Sequence, residues 1–289
     1  MKGWLVADIG GTKLSAAVYD GEQLLAREQI ATRAEEGSER VLKRLADLLK
    51  NVPRNTGIEP IGLGVVCPGP LSSSKGIVKH APLLQWHNVP VVEILQSSLA
   101  IPAVLENDAN AAALGEQRYG AGKGAESIAY ITVSTGIGCG IVLNGKILKG
   151  KHESAGELGH LVIVPGGEHC VCGRNGCLEM YASGTAIARE ARKIITSRGK
   201  DGHLMDAKEA AQLAREGDLA FQKLFQHAGT ALGRSIAALL QILDIERIVI
   251  GGSVSESMDL LRLDLLKAAR SESYWADGED CSVDRKSVV

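Results

Sequence analysis

Two α/β domains are predicted, because apolar strands and amphipathic helices alternate along the 289 residues and one strand–turn–strand pattern occurs twice. The first copy, WLVADIGGTKLSAAVYDGEQLLAREQI at residues 4–30, reads as a strand, a Gly-Gly turn and a second strand. The second, IAYITVSTGIGCGIVL at 128–143, repeats it around Ser134, Thr135 and Gly136. Two such notches point to two similar halves, the first covering 1–113 and the second 114–289, with a cleft between them. If the notches face each other, they clamp the two ends of a polyphosphate.

In the first hairpin, Gly10 and Gly11 can take positive φ and turn backbone N–H groups toward an anion. Thr12 adds a hydroxyl and Lys13 a charge, and Asp8, at the end of the strand, is placed to hold Mg²⁺ through water. The G-x-x-x-x-G-K-[ST] spacing of a P-loop is absent. SERVLKRLADLLKNV follows as a helix with Val41, Leu42, Leu45, Leu48 and Leu49 on one face. Next come the strand IGLGVVCP, a polar Ser/Gly-rich stretch from 72 to 80, and the short strand PAVLEN. DANAAALGEQRYG reads as a helix whose first residue, Asp108, stands where an N-cap would.

Beyond the second hairpin, residues 183 to 243 read as helical, interrupted by the polar SRGKDGH. The segment ALGRSIAALLQIL is apolar on more than one side, as helices in a core or a dimer interface are. The strand IERIVIGG ends in Gly251 and Gly252, where backbone can approach a nucleotide base or ribose closely. Three glycine turns after three apolar strands point to a nucleotide.

Between the second hairpin and the helices lies ELGHLVIVPGGEHCVCGRNGCLE, residues 157–179. Cys170, Cys172 and Cys177 put three thiolates within eight residues, and Gly173 and Gly176 allow sharp folding between them. A histidine would complete a tetrahedral Cys3His set suited to zinc, and four protein ligands make such an ion structural. His169, adjacent to Cys170, is hard to turn onto the same ion. His160, ten residues upstream of Cys170, is the preferred fourth ligand.

The segments DIGGTK, LENDANAAALGE, STGIGCG and above all the Cys/His loop resemble the ROK family (repressors, open reading frames and kinases) within the actin-like ATPase superfamily. The resemblance spans nearly the whole chain, and APLLQWHNVPVVEIL is most similar to the bacterial glucokinases of the group. It implies an actin-like, ribonuclease H-like fold and a Mg²⁺-ATP-dependent kinase of a hexose, glucose first. N-acetylmannosamine, fructose, allose and N-acetylglucosamine kinases share the same motifs. It also implies that Asp108 is the catalytic base, that Gly69, Asn107, Asp108, Glu157, His160 and Glu179 meet the sugar, and that His160 ligates zinc. Asp8, Gly10, Gly11, Thr12, Lys13, Ser134, Thr135, Gly136, Gly251 and Gly252 are then the ATP residues. A homodimer or a tetramer is implied as well.

Composition agrees with a cytoplasmic enzyme. Hydrophobic residues make up 45% of the chain, enough for two cores, and no stretch approaches the roughly 20 apolar residues of a membrane span. The charge of −2 and a pI near 6.4 give no footprint for nucleic acid. Cys67, Cys139 and Cys281 are scattered and form no disulfide framework. Family repressors carry a winged helix ahead of the kinase-like body, whereas here the phosphate hairpin starts within ten residues of Met1. A sugar sensor without catalysis is the rival reading of another class. The family also continues into a C-terminal helix, which is expected to be missing where the sequence ends in SVDRKSVV.

Overall fold

A computed structural model describes residues 1–201 and 205–274 and the backbone of a strand at 282–285. Cys281, residues 286–289 and residues 202–204 of the polar interruption lie outside the described residues. The chain divides into two compact units: Met1–Ala111 with Lys149–Ser154, and Ala112–Leu148 with the remainder from Ala155.

The first unit begins with β1 (Lys2–Ile9), β2 (Lys13–Asp20) and β3 (Gln23–Ala31), an antiparallel meander. α1 (Ser38–Asn51) then crosses to β4 (Glu59–Cys67), which pairs parallel with β1. Three short antiparallel strands follow, β5 (Leu71–Ser72), β6 (Ile77–Ala81) and β7 (Trp86–Val89). α2 (Val91–Leu99) leads into β8 (Ala103–Asn107), parallel to β4, giving the order β3-β2-β1-β4-β8. The polar stretch at 72–80 thus contains part of a small sheet, in which Val78 and Ala81 are buried while Ile77, Lys79 and His80 between and beside them are half-buried, so no strict alternation marks the strand. Leu5, Ala7 and Ile9 of β1 alternate inward against the α1 stripe Val41, Leu42, Leu45, Ala46, Leu48 and Leu49.

α3 (Asp108–Tyr119) carries the chain out of the first unit. In the second unit, β9 (Ser127–Val133), β10 (Ile137–Leu143) and β11 (Lys146–Ile147) form another antiparallel meander. The Cys/His loop, α4 (Glu179–Ala182), α5 (Gly184–Ser197), α6 (Ala207–Arg215) and α7 (Leu219–Leu243) come next. β12 (Arg247–Gly251) pairs parallel with β9, α8 (Met258–Glu272) follows, and β13 (Ser282–Arg285) pairs parallel with β12. The order β11-β10-β9-β12-β13 has the same sequence of antiparallel and parallel neighbours as the first sheet.

α7 is buried along most of its length because it packs on α8 at close range. A Cβ on Gly229 would lie 2.5 Å from the Leu261 carbonyl oxygen, and one on Gly233 only 2.3 Å from that of Leu265. Two glycines four residues apart therefore permit backbone contact between these helices. No helix among the described residues is long and apolar enough to cross a membrane.

Candidate active site

Open sheets with parallel strands bind ligands at the carboxyl ends of those strands, where loops leave the sheet together. In the first unit these ends carry Asp8 on β1, Cys67 on β4 and Asn107 on β8, with Asp8 opposite Val66 and Cys67 opposite Asn107 in register. Asp108 follows at once as the first residue of α3. Gly69 stands beside this corner, before the cis Gly69–Pro70 bond, and a Cβ there would come 3.4 Å from Asn107 Nδ2.

The capping role falls on Asn107 rather than Asp108. Asn107 Oδ1 accepts from the N–H groups of Ala109 at 2.9 Å and Asn110 at 3.2 Å, the second and third donors of the helix. Asp108 Oδ1 accepts only from Ala109 at 2.8 Å, and its other oxygen carries no hydrogen bond among the described residues. Its charge is felt nearby: the Asp8 carboxyl is pushed above its usual range by partial withdrawal from water and then by Asp108, against a smaller opposite pull from Arg27. Burial, then Asp108 and Asp8, push the Cys67 thiol far up, so it stays neutral.

Glu106, which sequence reasoning passed over, braces the same corner. Its Oε1 accepts from the Asn107 N–H at 2.9 Å, Asn110 Nδ2 at 3.0 Å and Ser73 Oγ at 3.2 Å, while Oε2 pairs with Lys149 Nζ at 2.6 Å. Burial works to raise its pKa, but Lys149, Asn110 and Asn107 together hold it below the usual carboxylate range. The clue in the sequence was an acidic residue inside an otherwise apolar strand, immediately before Asn107 and Asp108.

At the Gly-Gly turn, one expectation is corrected. Neither Gly10 nor Gly11 has a positive φ, and the Gly10 N–H is spent on the Lys13 carbonyl at 2.9 Å. Room is short there: a Cβ would come 3.0 Å from that carbonyl at position 10 and 3.0 Å from Leu83 Cβ at position 11, so a side chain would fit only if its neighbour gave way by a few tenths of an ångström. Thr12 and Lys13 are exposed beside the turn.

In the second unit, Ser134–Gly136 leaves β9 and Gly251–Gly252 leaves β12, again at carboxyl ends. Ser134 Oγ and Ser253 Oγ lie 3.1 Å apart and join the two turns. The Ser134 carbonyl accepts the Gly184 N–H at 2.7 Å and the Thr135 carbonyl accepts Thr185 Oγ1 at 2.8 Å, so the turn is tied to the N-terminus of α5, whose dipole favours an anion. Gly252 does need its freedom: φ is +86° and the Val133 carbonyl would lie 2.3 Å from any Cβ. A cavity of about 550 Å³ opens here, lined by Ser134, Thr135, Arg192, Lys208 and Ser253 among others. That size and polarity suit a nucleoside phosphate.

His160, Cys170, Cys172 and Cys177 converge, their ligand atoms all within 4.8 Å of one another. Cys170 Sγ and His160 Nδ1 are 3.6 Å apart, and Cys172 Sγ and Cys177 Sγ 3.5 Å. Two ligands of a tetrahedral zinc with bonds near 2.3 Å stand roughly 3.8 Å apart, so this donor set fits that ion. His169 is turned elsewhere, its Nδ1 3.0 Å from Asn175 Oδ1. Gly173 and Gly176 have φ of +85° and +84°, and position 176 also admits no Cβ against the Val164 carbonyl.

Glu157 caps a single 3₁₀ turn, Leu158–His160, which brings Glu157 and His160 onto one side. Gly159 packs against the Ile137 carbonyl, and Glu179 Oε2 accepts the Ile137 N–H at 2.8 Å. One oxygen of Glu179 is thereby committed to the start of β10, directly after the Ser134–Gly136 turn, and the other carries no hydrogen bond among the described residues. The same carboxylate explains Gly136, where a Cβ would meet Glu179 Oε2 at 2.6 Å. Of the expected sugar residues, Gly69, Asn107 and Asp108 stand together on the first unit, and Glu157, His160 and Glu179 flank Ile137 and the Cys/His cluster on the second.

The family model of the ROK family matches residues 5–278. A glucokinase from Halalkalibacterium halodurans is 36% identical over 272 residues, 89% of this chain and 82% of its own length. An N-acetylmannosamine kinase from Yersinia pseudotuberculosis is 34% identical over 89% of this chain and 85% of its own. Among solved structures, a ROK hexokinase from Thermus thermophilus superposes with a TM-score of 0.87 at 36% identity, covering 99% of this chain and 93% of its own. A ROK-family glucokinase from Streptomyces griseus, in complex with glucose and AMPPNP, gives 0.82 at 29% identity over 98% and 94%.

Proposed function

The chain belongs to the ROK family, and on that footing we propose that it is an ATP-dependent hexose kinase whose substrate is glucose. The observation that carries the reading is Asp108, a carboxylate at the carboxyl end of β8 with one oxygen left free by Asn107's capping of α3. Phosphoryl transfer asks a protein to position reactants, neutralise charge and accept a proton from the attacking hydroxyl late in the reaction. Asp108 accepts that proton. Its single hydrogen bond, from the Ala109 N–H, does not occupy both of its oxygens.

Asn107, Gly69, Glu157, His160 and Glu179 orient the hexose, whose hydroxyls pair well with carboxylate and amide acceptors. Gly10, Gly11, Thr12 and Lys13 on one unit and Ser134, Thr135, Gly136, Gly251 and Gly252 on the other take the nucleotide. Mg²⁺ bound through Asp8 would neutralise phosphate charge, and a divalent cation would favour the charged form that partial withdrawal from water, and then Asp108, disfavour at Asp8. Zinc on His160, Cys170, Cys172 and Cys177 would hold the loop that carries Glu179 and take no part in the chemistry.

ADP release with Mg²⁺-ATP against glucose, mannose, fructose, N-acetylmannosamine and N-acetylglucosamine tests this reading. Glucose should give the highest kcat/KM. Preference for a 2-acetamido sugar would reassign the substrate, and silence with every sugar would remove the kinase reading.

A further inference from the structure

We propose that Glu106 and Lys149 form a positioning pair that fixes the reacting end of Asp108, Lys149 being presented by an anchored strap at residues 149–154. The inference rests on the kinase reading above and assigns it two further residues.

Four donors converge on the Glu106 carboxylate, and the backbone N–H of Asn107 and the side-chain amide of Asn110 flank Asp108 on either side. Ser73 adds a third and Lys149 the charged fourth. The Glu106 side chain keeps 18% exposure, so its charge is largely withdrawn from water. A carboxylate so placed holds its donors only while a cation compensates it. Without Lys149, the carboxylate is expected to turn toward solvent and release both donors at the strand-to-helix corner.

Lys149 is itself fixed. The strap belongs to the first unit although its neighbours in sequence belong to the second. Glu153 Oε2 accepts from Ser72 Oγ at 2.5 Å and Oε1 from the Ser74 N–H at 2.9 Å, while the His152 carbonyl accepts from Lys79 Nζ at 3.2 Å. Glu153 sits at φ +56°, a conformation an L-residue keeps only when its surroundings hold it there. Three contacts on the first unit thus set the backbone from which Lys149 reaches Glu106. An isolated ion pair on a surface would show none of this convergence.

The test compares Lys149→Met, Glu106→Gln, the double variant and Lys149→Arg with the wild type, by kcat, by KM for each substrate and by thermal midpoint. Small displacements of a reacting group cost up to about a hundredfold in rate, and partial release of the corner is expected to lower kcat about tenfold in Lys149→Met and in Glu106→Gln, with KM for ATP unchanged. The double variant should be no slower than the slower single one, and Lys149→Arg should recover most of the rate. A kcat for Lys149→Met within about twofold of wild type, losses that multiply in the double variant, or no recovery with Arg would each overturn the proposal. If the wild type phosphorylates no hexose, the functional reading falls by itself. Amide hydrogen exchange over residues 103–113 then decides the positioning claim, which requires faster exchange in Lys149→Met and is refuted by unchanged exchange.

Discussion

If Asp108 is the base, as proposed, its replacement should separate rate from binding. Asp108→Asn keeps the shape and the bond from Ala109 but cannot take a proton, and kcat is expected to fall by about 10² to 10⁴ while calorimetry shows sugar affinity within a few-fold of wild type. Unchanged turnover would remove Asp108 from that role. At this scale the sequence was informative for the Cys/His cluster, where three cysteines in eight residues and His160 do converge. It was misleading on reasons. Gly10 and Gly11 have no positive φ and leave little room for a Cβ, and the N-cap of α3 is Asn107. Both outcomes depend on neighbours distant in sequence, Leu83 for the first and the strand-to-helix corner for the second, which local pattern does not contain.

Among the elements, the Cys/His loop is the one for which we propose dependence on a zinc ion. Cys172→Ser removes one of four convergent ligands, and zinc content and sugar affinity should fall together, affinity by about tenfold or more, because the loop carrying Glu179 loses its order. A metal-free variant with normal sugar affinity would contradict this. The helices of the second unit carry a pH-sensitive clasp. Asp218 caps α7 through the Ala220 N–H and is held by both terminal nitrogens of Arg198, from the end of α5. The Arg198 bonds, more than the backbone, lower its pKa from 3.8 to about 2. A depressed carboxylate stabilises above its unfolded pKa and loses that contribution as pH falls through the folded one. The thermal midpoint of wild type should exceed that of Arg198→Met at neutral pH, and the gap should close between about pH 4 and pH 2. A gap that persists at pH 2 would rule the clasp out. Amphipathic helices such as α1 were legible from their spacing, whereas the β5–β7 sheet was not, since strands of two to five residues that contain Ser, Lys and His look like a loop.

For the whole molecule, the repeat of a strand–turn–strand pattern at residues 4–30 and 128–143 corresponds to two sheets with one order and one set of neighbour senses. The three glycine turns read from the sequence each follow the carboxyl end of a strand, β1, β9 and β12. Residues 149–154 show the limit: they join the first unit through Glu106, Ser72, Ser74 and Lys79, and nothing in their own composition announces it. The central claim is transfer of a phosphoryl group from ATP to glucose, and phosphorus NMR of glucose and Mg²⁺-ATP incubated with the purified protein tests it most directly. A sugar phosphate monoester resonance growing as the γ-phosphate resonance declines is the predicted result. ATP left intact, or converted to ADP and inorganic phosphate with no sugar phosphate formed, would contradict it.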